Sequence, residues 1–279
     1  MVAEFTRTRG TVMKNFLKSV SVLILTVTAM LLVAEELSSG TFTFGNGKKG
    51  YLILPDNYQK GGDYKFLLFG HGRGAAAGTA GNVGTNAFKK FRQLASEKNY
   101  IIAVPPLVST WYNIQAEKDT EEMLDFLAKS LETDLSRIYV IGTSMGGQAA
   151  LLFAGRNPER VVAVCDIFGV ADIVAQSETQ YKENIKINYG GYYIEEKAFY
   201  ESRKAINYAS VLAKIPLLII HGEKDNLVSI KQSEDLFAAV KNNGGTQVEF
   251  IRHPGMGHQN EIIIGNEEKV FAFFEKAEK

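Results

Sequence analysis

Two kinds of apolar pattern alternate along the chain from about residue 41 onward. Short continuous runs bounded by glycine, proline or charge have the length and β-branched content of strands buried on both faces. These are KFLLFG ending at Gly70, YIIAVP ending at Pro105, RIYVI from Arg137, VVAVC ending at Cys165, then PLLII and QVEFI. Between them, DTEEMLDFLAKSLETD brings Met123, Leu124, Leu127 and Leu131 to one helical face, and Asp119 with Glu122 predicts its amino-terminal cap. Further helices are predicted at QAALLFA, ended by Gly155 and Pro158, at SEDLFAAVK, and at the terminal EEKVFAFFEKA. Ahead of these, TFTF and YLILP read as a hairpin. Such alternation predicts an α/β fold, a mainly parallel central sheet with helices on both faces, whose ligands gather at the carboxyl ends of the strands.

The pattern fails over residues 171–214, where Tyr181, Tyr189, Tyr192, Tyr193, Phe199, Tyr200 and Tyr208 mix with glycines and charges. This stretch reads as an insertion over the sheet, either a flap whose aromatics bury area or a lid that walls the substrate. No internal repeat or linker divides residues 37–279, which are expected to form one domain. Residues 1–36 have a different character. Lys14 and Lys18 precede an apolar stretch from Val20 to Ala34, the pattern of a secretory signal. The stretch is short for a membrane span. Secretion or periplasmic export is therefore expected, with membrane anchoring as the alternative if the signal is not cleaved. Residues 1–12, ahead of Met13, read as an upstream extension.

Charge and cysteine remove other classes. Basic and acidic residues balance at 31 each, so no global field draws the protein to nucleic acid or, once the signal is gone, to an anionic membrane. Cys165 is the only cysteine, which excludes an intrachain disulfide and reads as a small buried hydrophobe.

The chemistry lies in the turns. Gly142-Thr143-Ser144-Met145-Gly146 falls between a predicted strand and a predicted helix, where GxSxG makes a strained elbow. Gly142 and Gly146 let strand and helix approach closely, and Ser144 stands exposed at the positive end of the following helix. A serine hydroxyl needs a base. Of the four histidines, His71 and His221 read as turn residues that pack locally. His258, in a glycine-rich loop beyond the last strand, is the candidate base, and His253 is the alternative. Asp225, in HGEKD after a strand, is the candidate to orient the imidazole; Asp166 and Asp172 are the alternatives, otherwise loop and capping residues. The order Ser, Asp, His is the one expected of a nucleophile on such an elbow. For the oxyanion, the turn in FLLFGHGRG offers the Arg73 amide beside that of Met145. Trp111 and Tyr112 are candidate substrate-binding aromatics, or residues that pack locally.

HGRG, RIYVIGTSMGG, HGEKDNLV and GMGHQ, in that order, resemble the α/β-hydrolase superfamily. ETDLSRIYVIGTSMGGQAA is similar to secreted esterases grouped with polyhydroxybutyrate depolymerases and feruloyl or acetylxylan esterases, and to the catalytic domain of prolyl oligopeptidases. The resemblance covers nearly all of the chain after Thr41. It implies a serine hydrolase with Ser144, Asp225 and His258 as its triad and no metal or organic cofactor. Two departures stand out: family members often carry an extra glycine or an aromatic where Arg73 stands, and the aromatic insertion holds no motif that names a substrate. The expected activity is cleavage of carboxylic esters of small molecules, polysaccharides or polyesters. A peptidase of the prolyl oligopeptidase type is the second reading, and a hydrolase-like scaffold kept only for binding is the third.

Overall fold

A computed structural model describes residues 37–278. The expected signal and amino-terminal extension lie outside the described residues. The chain from Ser38 forms one compact unit.

The first two strands, β1 (Gly40–Phe44) and β2 (Lys48–Ile53), pair as the antiparallel hairpin that the alternating residues imply. Then follow β3 (Lys65–Gly70), α1 (Lys89–Glu97), β4 (Tyr100–Val104), α2 (Ile114–Leu131), β5 (Ile138–Thr143), α3 (Met145–Arg156) and β6 (Val161–Ile167). The segment after β6 is helical in short pieces: α4 (Ile173–Gln176), α5 (Lys182–Tyr189), α6 (Lys197–Ser202) and α7 (Ala209–Leu212). The chain ends with β7 (Leu217–Gly222), α8 (Ile230–Asn242), β8 (Val248–His253) and α9 (Glu267–Ala277). One eight-stranded sheet results, in the order β1-β2-β4-β3-β5-β6-β7-β8. Only the pairings at β1 and β2 are antiparallel; from β4 to β8 every neighbour is parallel.

Strand alternation divides the core into two layers. Leu67 and Phe69, Tyr139 and Ile141, and Cys165 and Ile167 pack with Phe91 of α1 and Phe271 and Phe274 of α9. The opposite face carries Leu68, Val140 and Gly142, against which α2 and α3 pack with Thr120, Ala149 and Phe153. α8 covers that same face further along, where its Ser233 meets His221. Each large apolar side chain removed from water contributes about 1.5–3 kcal/mol, and the central strands β3, β4, β5 and β7 are buried almost throughout.

One local expectation is corrected. Asp119 does not cap a helix. α2 begins five residues earlier, at Ile114, where the Asn113 side chain accepts the Ala116 N–H at 3.0 Å. Asp119 and Glu122 sit inside the helix and hold Lys48 of β2, at 2.8 and 2.5 Å. The Asp-x-x-Glu spacing that mimics a capping box is also that of two carboxylates on one helical face.

Candidate active site

The sheet brings the ends of β3, β5, β6, β7 and β8 to one edge. At β5 the chain turns into α3 within a single residue. Ser144 has φ 56° and ψ −122°, a region that side chains rarely adopt and that costs about 1–3 kcal/mol. Three features hold it there. Its N–H donates to the Ile167 carbonyl on β6 at 3.0 Å, and its own carbonyl accepts the first helical bond from Gln148 at 3.1 Å. A Cβ on Gly142 would overlap the Gly146 carbonyl, and one on Gly146 would overlap the Gly70 carbonyl. The glycines thus let strands β3 and β5 touch the first turn of α3 directly.

Ser144, His258 and Asp225 converge. His258 Nε2 lies 2.9 Å from Ser144 Oγ, and His258 Nδ1 lies 2.7 Å from Asp225 Oδ2. The Asp225 side chain is fully buried, whereas His258 keeps 14% exposure. Asp225 Oδ1 accepts the Leu227 and Val228 amides, both at 2.9 Å. Burial alone would raise the Asp225 pKa, but hydrogen bonds from His221, His258 and the Val228 amide outweigh it and hold the carboxyl well below the usual carboxylate range. An ionised Asp225 accepts from His258 Nδ1–H, which leaves Nε2 as the nitrogen able to take a proton from Ser144.

The alternatives separate from this cluster. His253 lies against Asn266, whose Nδ2 donates to its Nε2 at 2.7 Å. Asp172 caps α4 through the Val174 and Ala175 amides and pairs with Lys204 at 3.1 Å. Asp166 is fully buried beneath α3, its carboxyl against the backbone of Gly147 and Gly169. Neither of its oxygens meets a donor in good hydrogen-bond geometry among the described residues. Burial pushes its pKa up to about 7, which nearby His221 and the Gly169 amide offset only in part. His71 bonds the carbonyl of Gly72 at 2.9 Å, a local turn contact.

The HGRG turn passes beside Ser144: a Cβ on Gly72 would lie 3.7 Å from the serine Cβ. The Gly72 amide is already used by Asn82 Oδ1 at 2.6 Å. Arg73 and Met145 are the next amides on either side, Met145 being the first residue of α3, where helical N–H groups have no acceptor within the helix. The Arg73 guanidinium lies over the Tyr181 ring at 5.0 Å.

Trp111 and Tyr112 pack locally, the second of the two readings their sequence allows. Both are buried, with 1% and 2% exposure. Val108, Ser109, Trp111 and Tyr112 all take positive φ, and this contorted loop turns the rings inward. Trp111 donates from Nε1 to Asn184 at 2.6 Å, packs on Tyr181 at 5.3 Å, and accepts the Tyr189 hydroxyl on its carbonyl at 2.8 Å. It anchors the insertion.

Two residues at the site carry no motif. Phe168, at φ 41° just after β6, packs its ring 4.5 Å from the His258 imidazole. Asn82 joins the HGRG turn to the loop that bears His258, because its Nδ2 donates to Asn260 Oδ1 at 2.7 Å. Glycine and serine leave a signature at an elbow; a long-range amide contact leaves none.

The sequence profile of the prolyl oligopeptidase family, Peptidase_S9, matches residues 111–279, a span that includes Ser144, Asp225 and His258. The chain belongs to the prolyl oligopeptidase family. The fold is that of the α/β-hydrolases, and a second profile, Esterase, matches residues 43–174. The uncharacterized peptidase YuxL of Bacillus subtilis (strain 168) is 24% identical over 230 residues, covering 75% of this chain and 33% of YuxL. The uncharacterized protein YfhR of Escherichia coli (strain K12) is 27% identical over 126 residues, 44% of this chain and 40% of YfhR. Among solved structures, Pyrococcus horikoshii acylaminoacyl peptidase superposes with TM-score 0.68 at 20% identity, covering 88% of this chain and 43% of that one. A bifunctional GH43-CE protein of Bacteroides eggerthii superposes with TM-score 0.67 at 21% identity, covering 85% and 38%. The matched part of the chain thus covers between 33% and 43% of the length of these relatives.

Proposed function

We propose that the protein is an exported serine hydrolase that cleaves carboxylic esters through an acyl-enzyme. The observation that carries this reading is the His258 ring, bonded through one nitrogen to Ser144 and through the other to a buried carboxylate. In the first half-reaction Ser144 Oγ attacks the ester carbonyl while its proton passes to His258 Nε2. Asp225 stabilises the imidazolium, and the Met145 and Arg73 amides receive the oxyanion. One such donor is worth about 10²-fold to 10³-fold in rate. His258 then protonates the departing alkoxide. In the second half-reaction water attacks the acyl-serine by the same path in reverse, releasing the acid and restoring Ser144.

Ser144→Ala is expected to lower turnover of p-nitrophenyl acetate by on the order of 10⁴-fold or more with the fold retained. Retained turnover removes the reading. Peptide cleavage is the second reading, favoured by the family match over residues 111–279 and by a relative described as a peptidase. A larger kcat/KM on acyl-peptide or prolyl p-nitroanilides than on short-chain esters reverses the order. Export rests on the lysines and apolar stretch before Ala34. Mass spectrometry of the exported fraction after expression tests signal cleavage: a terminus still at Met1 or Met13 leaves the membrane-anchored alternative, and absence of the protein from that fraction removes export.

Among the described residues no helix is long and apolar enough to cross a membrane.

A further inference from the structure

His221 stands next to last in β7 and is fully buried, yet its ring is not in an apolar setting. Nδ1 lies 2.7 Å from Ser233 Oγ on α8. Nε2 lies 3.0 Å from the Val228 carbonyl and 3.2 Å from Asp225 Oδ2. Both neighbours of Nε2 are acceptors, so Nε2 carries the proton and Nδ1 accepts the Ser233 hydroxyl. The tautomer is thereby fixed from two sides, by the turn after β7 and by α8.

The consequence falls on Asp225. Its Oδ1 is satisfied by two amides, while its Oδ2 is shared between His258 and His221. The carboxylate is held from four directions, and part of the charge that would otherwise act on His258 is spent on a second imidazole. A hydrogen bond to a charged group is among the stronger kinds, and more so in a buried site.

We propose that His221, locked by Ser233, is a positioning residue: it fixes the orientation of Asp225 and sets how much of that carboxylate's negative charge is left to act on His258. This rests on the hydrolase reading above. The titratable and charged groups facing His221 are Asp166 from β6 and Asp225 from the turn after β7, with His258 beyond Asp225; Ser233 from α8 and the Phe168 ring, 6.4 Å away, complete its surroundings. The sign follows from the sharing. Without the His221 donor, Asp225 acts on His258 alone, the imidazolium is favoured, and the acid limb of the pH–rate profile moves to higher pH. The loosened carboxylate also orients the ring less well, which lowers kcat more than it raises KM.

The test is the pH dependence of kcat and kcat/KM for p-nitrophenyl acetate in the full chain, normalised to active sites titrated with a fluorophosphonate. His221→Leu is expected to lose about 10- to 100-fold in kcat, the scale of one hydrogen bond to a charged group, with the acid limb displaced upward. His221→Gln, whose amide N–H can reach the same acceptors, is expected to recover most of both. Ser233→Ala frees the ring without removing it and is expected to give a smaller shift in the same direction; it carries the test if His221→Leu does not fold. The displacement must persist in an Asp166→Asn background, which removes the other carboxyl that faces the ring. A limb that stays at the wild-type pH in Ser233→Ala and His221→Leu overturns the proposal, as does a kcat loss that His221→Gln does not recover. Activity in Ser144→Ala would instead overturn the hydrolase reading, and the two failures are told apart by that variant.

Discussion

The turn at Ser144 and the segment 171–214 follow neighbouring strands, β5 and β6, and are held in opposite ways. The turn is fixed by backbone: positive φ at Ser144, glycines at Gly142 and Gly146 that admit direct contact, and amide bonds to β6. The insertion is fixed by buried polar side chains. Arg203, 2% exposed, bonds Glu117 at 2.8 Å and the Tyr112 carbonyl at 3.1 Å. Gln148 of α3 donates to the Tyr189 hydroxyl and the Arg203 carbonyl, both at 3.2 Å. Arg156 adds Glu117 at 2.8 Å and the Ser202 carbonyl at 2.7 Å. A backbone-built turn tolerates few substitutions but needs no particular side chain elsewhere. A segment docked by polar and charged anchors depends on groups far away in sequence, and losing one takes a hydrogen-bond donor from the buried groups it held.

That contrast can be broken at three points. The largest effect is expected on chemistry alone: Asp225→Asn keeps the volume but reverses the donor and acceptor pattern facing His258, and should cost about 10⁴-fold in kcat with melting temperature little changed. Equal losses in stability and rate would show that the site too depends on side-chain docking. The next is on stability alone. Arg203→Met is expected to lower unfolding free energy by about 1–3 kcal/mol, measured by urea denaturation, because the Tyr112 carbonyl loses its donor while Glu117 keeps Arg156; kcat on a short-chain ester should change little. A kcat loss as large as that of Asp225→Asn would make the insertion part of the reacting site.

The most gradual effect is a slope. Asp166 binds its proton more tightly folded than unfolded, with a pKa of about 7 against an ordinary 3.8. Because the folded state then holds the extra proton, stability is expected to decline as pH rises between those two values and to level off above them. Asp166→Asn should flatten that decline between pH 4 and 7; an unchanged profile would show that the carboxyl under α3 is ionised after all.

The same contrast explains what the sequence could tell. Strand runs such as YIIAV and PLLII, the terminal helix EEKVFAFFEKA, and the elbow residues announce themselves locally, since burial on both faces and close backbone approach each restrict residue type at fixed spacing. The meeting of Ser144, Asp225 and His258 follows from chain order once the parallel sheet is granted. Other features depend on distant partners. Trp111 and Tyr112 look like loop aromatics because nothing nearby in sequence reveals that Asn184 and Tyr189 receive Trp111. His221 resembles a turn histidine until α8 brings Ser233 to it. Asp119 and Glu122 satisfy a capping pattern only because the lysine they hold lies in β2.

Asn82 carries a consequence for anyone who would graft new specificity onto this scaffold. One of its amide atoms fastens the Gly72 amide and the other fastens Asn260, two residues past His258. The turn that holds Arg73 and the loop that carries His258 therefore share a single strut. Exchanging either loop for a relative's counterpart should misplace the other unless both asparagines travel with it, so substitutions in the two loops are expected to combine non-additively.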